Sequence, residues 1–220
     1  MDSVEAADGV IKFRADHLFG GLADRFPGDV FDGLQAWRHI LYRLDFVGQD
    51  PDRYDGAGFG NMSARISTQQ EAMGHRAFLV TGTQTGGRLR LALSDYCLVE
   101  AYDLRLNRVQ STGETMPSSE SMTHGAVYDL NPAIRFVFHG HIPKLWQQAE
   151  ALEIPISRSE VAYGTPDMAE EIARLYSESS LAETKIMAMG GHEDGILAFG
   201  EGAEEAGHAL ISAFSRALTR

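Results

Sequence analysis

Residues 117–141 read PSSESMTHGAVYDLNPAIRFVFHGH, and the fold is decided there. Ser118 and Ser119 are natural helix caps, and Glu120 falls in the first helical turn, where an acidic group is favoured by the exposed N–H groups. Met122, Ala126, Val127 and Leu130 continue one apolar face, and Asn131-Pro132 stops the helix. Ala133 to Phe138 then forms a strand that feeds His139-Gly140-His141. A strand repeats every two residues, so His139 and His141 share a face, with Cβ atoms roughly 6 to 7 Å apart. That spacing lets both imidazoles reach one cation. Downstream, His192 sits in a Gly-Gly-His-Glu-Asp-Gly turn. Three histidines and Glu120, each at the mouth of an element, have the makings of a metal site with an open coordination position.

Composition narrows the possibilities. A chain of 220 residues with 44% apolar content suits one α/β domain with a full core. With Cys97 as the single cysteine there is no intrachain disulfide and no sulfur-rich metal site, so a metal must be held by histidine and carboxylate. The net charge of −12 argues against nucleic acid and against anionic membranes. No apolar run approaches the ~18 residues of a membrane span. The opening MDSVEAADG is acidic without an apolar core, so neither a signal nor a transit peptide is expected. These features fit a cytoplasmic protein.

Outward from the central stretch, residues 1–30 show little periodicity and are expected to form a loosely packed arm. Phe31, Leu34, Trp37, Leu41 and Leu44 predict an amphipathic helix over 31–47. The segment DGAGFGNMSARI (55–66) is a glycine-rich turn carrying Asn61 and Ser63 into a strand, with backbone free to approach a ligand. AFLVT (77–81) is a strand, followed by Gly82-Thr83-Gln84-Thr85-Gly86-Gly87, a loop able to hold a phosphate or carboxylate, with Arg88 and Arg90 beyond it. CLVEAY (97–102) is the next strand, and 103–113 a polar hairpin-like return. Helices are expected at 143–152, 168–176 and 203–218, and strands at 185–189 and 195–199. His39, His124 and His208 are expected to be packing or surface residues, and Tyr163 to pack in its turn.

Gly60-Asn61-Met62-Ser63, Thr81-Gly82-Thr83, Pro117-Ser118-Ser119-Glu120, His139-Gly140-His141, Tyr163-Gly164-Thr165 and Gly191-His192 with Gly195-Ile196-Leu197 occur in this order. As an ordered set over roughly residues 31–216, they resemble the class II aldolase/adducin family. The resemblance implies a three-layer α/β/α sandwich with a mostly antiparallel central sheet, and a homotetramer with sites between subunits. It implies a divalent metal, zinc first and manganese, cobalt or iron as alternatives, held by His139, His141 and His192. Glu120 would be a further ligand or the acid/base. Asn61, Thr81, Gly82, Ser118 and Ser119 would bind substrate phosphate. The implied activity is that of a lyase, cleaving a small hydroxy-carbonyl compound through a metal-stabilised enediolate. A dehydratase, an epimerase or a non-catalytic adducin-like binding protein are the alternatives. The family's aldolases place a tyrosine acid after the His-x-His segment; Ile154–Ser159 carries none, and no tail tyrosine is expected beyond the last helix.

Overall fold

Alternation along the strands sorts the core into two. Met62, Ala64, Leu79, Leu98, Phe136, Phe138, Ile196 and Ala198 belong to one buried cluster. Their neighbours Phe78, Val80, Val99, Val137, Leu197 and Phe199 belong to the other. A sheet that is apolar on both faces must be covered on both. The computed structural model, which describes residues 11–220 apart from Asp24 and Thr68, shows that arrangement.

In chain order the elements are β1 (Arg14–Phe19), α1 (Gly28–Arg43), β2 (Gly48–Gln49), β3 (Gly58–Phe59), β4 (Asn61–Arg65), β5 (Phe78–Thr81), β6 (Tyr96–Asp103) and β7 (Arg108–Gly113). There follow α2 (Ser121–Leu130), β8 (Phe136–His141), α3 (Pro143–Gln147), α4 (Pro166–Glu178), α5 (Leu181–Thr184), β9 (Ile186–Ala188), β10 (Gly195–Gly200) and α6 (Ala203–Leu218). Among the described residues the central sheet has eight strands in the order β1-β7-β6-β5-β4-β8-β10-β9. Every pairing in it is antiparallel except β1 with β7. β2 and β3 form a separate small ribbon. Helices α1, α3 and α6 contribute to the first cluster, α2 and α4 to the second. The fold is therefore the α/β/α sandwich with a mostly antiparallel sheet.

Val30, Leu34, Trp37 and Leu41 of α1 recur every three or four residues and are buried; each such side chain removed from water contributes about 1.5–3 kcal/mol. Trp37 lies against α6 at Gly207, where an added Cβ would stand 2.1 Å from the indole ring. The flanking Ala203, Ala206 and Ala213 keep that helix close to the sheet.

The N-terminal expectation is corrected in part. Residues 14–19 pair in register with β7, from Arg14 opposite Arg108 to Phe19 opposite Gly113, so this segment is an edge strand and not a loose arm. Its mixed burial, with Leu18 and Phe19 exposed, hides the usual alternation. Residues 1–10 of the expected arm lie outside the described residues. Other boundaries move: the helix expected over 31–47 spans Gly28–Arg43. The return after β6 is itself the strand β7, and the helix expected over 143–152 ends at Gln147, giving way to a short 3₁₀ turn at Glu150–Leu152.

Candidate metal centre

Strand β8 sets the centre. Phe136 and Phe138 point into the α1/α6 layer and Val137 into the α2 layer. His139 and His141 therefore fall on the α2 face. Between them Gly140 faces the other way, where the chain leaving α1 crosses. Phe46 O accepts the His141 N–H at 2.8 Å, and a Cβ on residue 140 would sit 2.9 Å from the same oxygen. The middle residue of His-Gly-His is glycine because backbone occupies that space. Register then delivers the third histidine. β10 pairs with β8, Gly195 opposite His141 and Leu197 opposite His139. His192 lies in the preceding turn, closed by Gly195 N–H to His192 O at 3.0 Å.

The three imidazoles are buried and pack with ring centroids 4.7 to 5.2 Å apart. One ring nitrogen from each falls within 4.8 Å of the others. Glu120, at the N-cap of α2 and 2% exposed, brings its Oε2 to 2.8 Å from His139 Nε2, while Asn61 Nδ2 donates to that oxygen at 2.8 Å. Asn61 is the residue directly opposite His139 in the β4–β8 ladder.

The donor set fits a divalent cation. His139 Nδ1 lies 3.2 Å from Ile196 O; a carbonyl only accepts, so Nδ1 carries a proton and, in the neutral ring, Nε2 presents its lone pair inward. Metal-bound histidines are held in this way, their second nitrogen donating to a backbone carbonyl or carboxylate. A cation at the inward nitrogens would take the place of the proton that the His139–Glu120 contact otherwise needs. It would also satisfy Glu120 Oε1, which is buried without a hydrogen-bond partner among the described residues.

Electrostatics keep His141 and His192 ready to ligate. Burial pushes His192 down to about 4, the Glu120 charge opposing it only in part. Burial likewise holds His141 well below its ordinary value, with His139 and His192 adding to the effect. Burial alone would raise the Glu120 carboxyl, but the neighbouring His139 and His192 and the Asn61 hydrogen bond overcome it and hold it well below the usual carboxylate range. Neutral imidazoles and an ionised carboxylate are the forms that bind a metal.

Beside the centre a cleft opens, lined by Gly58–Asn61, Gly82–Gly86, Ser118, Ser119, Glu120, His141 and His192. The structure thus brings Asn61, Gly82, Ser118 and Ser119 together at one opening with Glu120, His141 and His192. Thr81 is not in the lining. Its side chain lies on the α1 face beside Leu79, and its hydroxyl accepts the Met62 N–H at 3.2 Å. Positions two to five residues further on, Thr83 to Gly86, line the cleft instead. Their loop is fixed from behind by buried Arg38 of α1, which donates to Thr85 O, Gly86 O and Leu89 O at 3.1 to 3.2 Å. Arg38 is the residue the sequence gives no reason to select, since it occupies the edge of an ordinary amphipathic helix. Arg88 turns away to pair with Asp95, and Arg90 lines a separate groove with Gln35 and His39.

Two further histidine-centred contacts surround the site. His124, one turn beyond Glu120, is fully buried, its Nδ1 2.6 Å from Ser63 Oγ, which also lies 2.7 Å from Tyr128 Oη. Tyr163 is buried with its ring 4.5 Å from that of His192, and Lys12 Nζ stands over the Tyr163 ring at 3.5 Å from its centroid.

A mostly antiparallel sheet between helical layers, with three buried imidazoles able to hold a metal at the end of β8, defines the class of protein. Residues 51–217 match the Class II Aldolase and Adducin N-terminal domain family, and the chain belongs to that family. Its structure is similar to that of an L-fuculose-1-phosphate aldolase from Thermus thermophilus, at 18% identity over 88% of this chain and 93% of that one, with TM-score 0.60. It is also similar to a sugar-phosphate aldolase from Thermotoga maritima, at 16% identity over 87% and 94%, with TM-score 0.61. A third likeness is to the N-terminal class II aldolase domain of a conserved protein from Thermoplasma acidophilum, at 18% identity over 88% and 94%, with TM-score 0.57. At such identities the likeness is one of fold. No curated protein matches the chain. No helix among the described residues is long and apolar enough to cross a membrane.

Proposed function

We propose that the protein is a metal-dependent aldehyde-lyase of the aldolase type, acting on a small hydroxy-carbonyl compound with an anionic, phosphate-like group. The observation that carries this reading is the buried triad of His139, His141 and His192, with ligand atoms within 4.8 Å of one another and the Glu120 carboxylate 2.8 Å from His139. These four residues would hold the cation, zinc being favoured by an imidazole-rich donor set. A divalent ion there supplies Lewis-acid polarisation of a carbonyl and its neighbouring hydroxyl.

The remaining roles belong to the chain. Glu120 sits where it can take a proton from a substrate hydroxyl and return it to carbon, its orientation fixed by Asn61. Ser118, Ser119 and the hydroxyl-rich loop Thr83–Gly86 offer O–H and N–H donors for the anionic group on the far side of the cleft. The loop's carbonyls are turned toward Arg38, and because carbonyl and N–H of a trans peptide point in opposite directions, the next N–H groups turn away from α1. The proposal extends to a single-domain chain acting in the cytoplasm as a homotetramer.

A panel of phosphorylated and unphosphorylated hydroxy-carbonyl compounds, assayed for release of free aldehyde, tests it. Turnover that disappears with a chelator and returns with zinc, manganese or cobalt is expected. Metal-loaded protein that binds members of the panel and releases no aldehyde from any of them would sink the lyase reading.

A further inference from the structure

Tyr54 lies in the loop between β2 and β3, and its hydroxyl is 2.5 Å from Asp194 Oδ2 in the turn that carries His192. Arg53 Nη2 donates to the same hydroxyl at 2.8 Å. A guanidinium can only donate, so the Tyr54 proton goes to Asp194 and the relay has one direction. Asp194 makes a second attachment through its backbone, its carbonyl accepting from Ile142 N–H at 2.8 Å, one residue beyond His141. Asp194 thereby ties together the loop, the end of β8 and the His192 turn.

The tyrosine also touches the centre itself. Its ring meets the His141 imidazole edge-on at 4.5 Å and Phe59 at 5.3 Å. It is not among the residues lining the cleft, so its contact supports His141 without taking substrate space. Both ends of the contact are held in a backbone conformation that side chains rarely adopt, with φ of 51° at Tyr54, 54° at Asp55 and 61° at Asp194. Such conformations persist where surrounding contacts over-determine them, and they gather at functional sites. Among the described residues, Tyr54 is the one side chain hydrogen-bonded to the carboxylate of Asp194, a residue only 9% exposed.

We propose that Arg53, Tyr54 and Asp194 form a clamp that fixes His141 and His192 relative to one another, with Tyr54 as a positioning residue for the metal centre. The inference rests on the reading of the histidine triad as a metal site. Partners that orient metal ligands typically cost about 10- to 100-fold in metal affinity when removed.

The test measures zinc affinity by competition with a chromogenic chelator in wild type, Tyr54→Phe, Asp194→Asn and the double variant, beside the melting temperature of each metal-free form. Tyr54→Phe keeps the ring and removes the hydrogen bond, so about a 10- to 100-fold weaker zinc complex is expected, with a fall in metal-free melting no larger than the loss of one buried hydrogen bond explains. The visible bands of the cobalt-loaded form should shift with it. Asn tolerates the left-handed backbone and still accepts from the Tyr54 hydroxyl, so Asp194→Asn should stay close to wild type and the double variant should match Tyr54→Phe. Zinc affinity unchanged in Tyr54→Phe overturns the clamp, as does a loss confined to Asp194→Asn, which would mark a remote charge effect. Wild-type protein that takes up no zinc overturns the metal reading itself, and the clamp with it.

Discussion

Acid should unfold the metal-free protein through its buried histidines. Burial pushes His124 down to about 3 and His192 to about 4, from an ordinary 6.5. The unfolded chain protonates both below about 6.5, whereas the folded chain does so only near those lower values. The unfolded state therefore binds more protons across the interval, and stability falls as pH falls. Near pH 4.5 the gap is roughly two pKa units for each group, or about 2.5 kcal/mol at 1.36 kcal/mol per unit. The two together remove about 5 kcal/mol from a stability of the order of 5–15 kcal/mol. The lowered carboxyl of Glu120 acts in the same sense below its unfolded value, because the unfolded carboxylate takes a proton that the folded one refuses. Urea denaturation of chelator-treated protein, followed by circular dichroism near pH 7 and near pH 4.5, reads the difference directly. His124→Gln should remove about half of the pH-dependent loss. A stability that changes by less than about 1 kcal/mol between the two conditions would refute the linkage argument.

Three further outcomes follow from the geometry. Glu120→Gln should retain the metal while lowering turnover by about 10²- to 10⁴-fold, the usual worth of a positioned acid/base; undiminished turnover in steady-state assays would remove that role. Gly140→Ala places a Cβ 2.9 Å from Phe46 O, so calorimetry should show a destabilisation of about 1–3 kcal/mol, as overpacking costs elsewhere, together with weaker metal binding. Arg38→Met should strip the donors from Thr85, Gly86 and Leu89 carbonyls and weaken inorganic phosphate binding by isothermal titration calorimetry. Unchanged phosphate affinity would take that loop out of the anion site.

Much of this arrangement is written plainly in the chain. Helices α1, α2, α4 and α6 follow from apolar spacing, and β5, β6, β8 and β10 from short β-branched and aromatic runs, whereas β4, NMSAR, carries neither residue type. The placement of His139 and His141 follows from the strand period alone. What brings His192 to them is the β8–β10 register, a long-range pairing that no local pattern encodes. Thr81 shows the limit of reading alternation in a buried strand. Phe78, Leu79 and Val80 are apolar on both faces, so nothing local says which face the threonine takes. β1 is hidden for the opposite reason, since RADHLF on an exposed edge carries polar residues where a central strand would not. Arg38 and Tyr54 acquire their meaning only from groups distant in sequence, the Thr85–Leu89 carbonyls for one and the Asp194 turn for the other.

The central claim is a divalent metal on the histidine triad, and metal content by mass spectrometry of gently purified protein tests it most directly, beside the His139→Ala/His141→Ala variant. The account predicts about one zinc, manganese, cobalt or iron per chain, lost in the variant with the fold intact. No bound metal in the wild type, even after reloading with divalent ions, would contradict it.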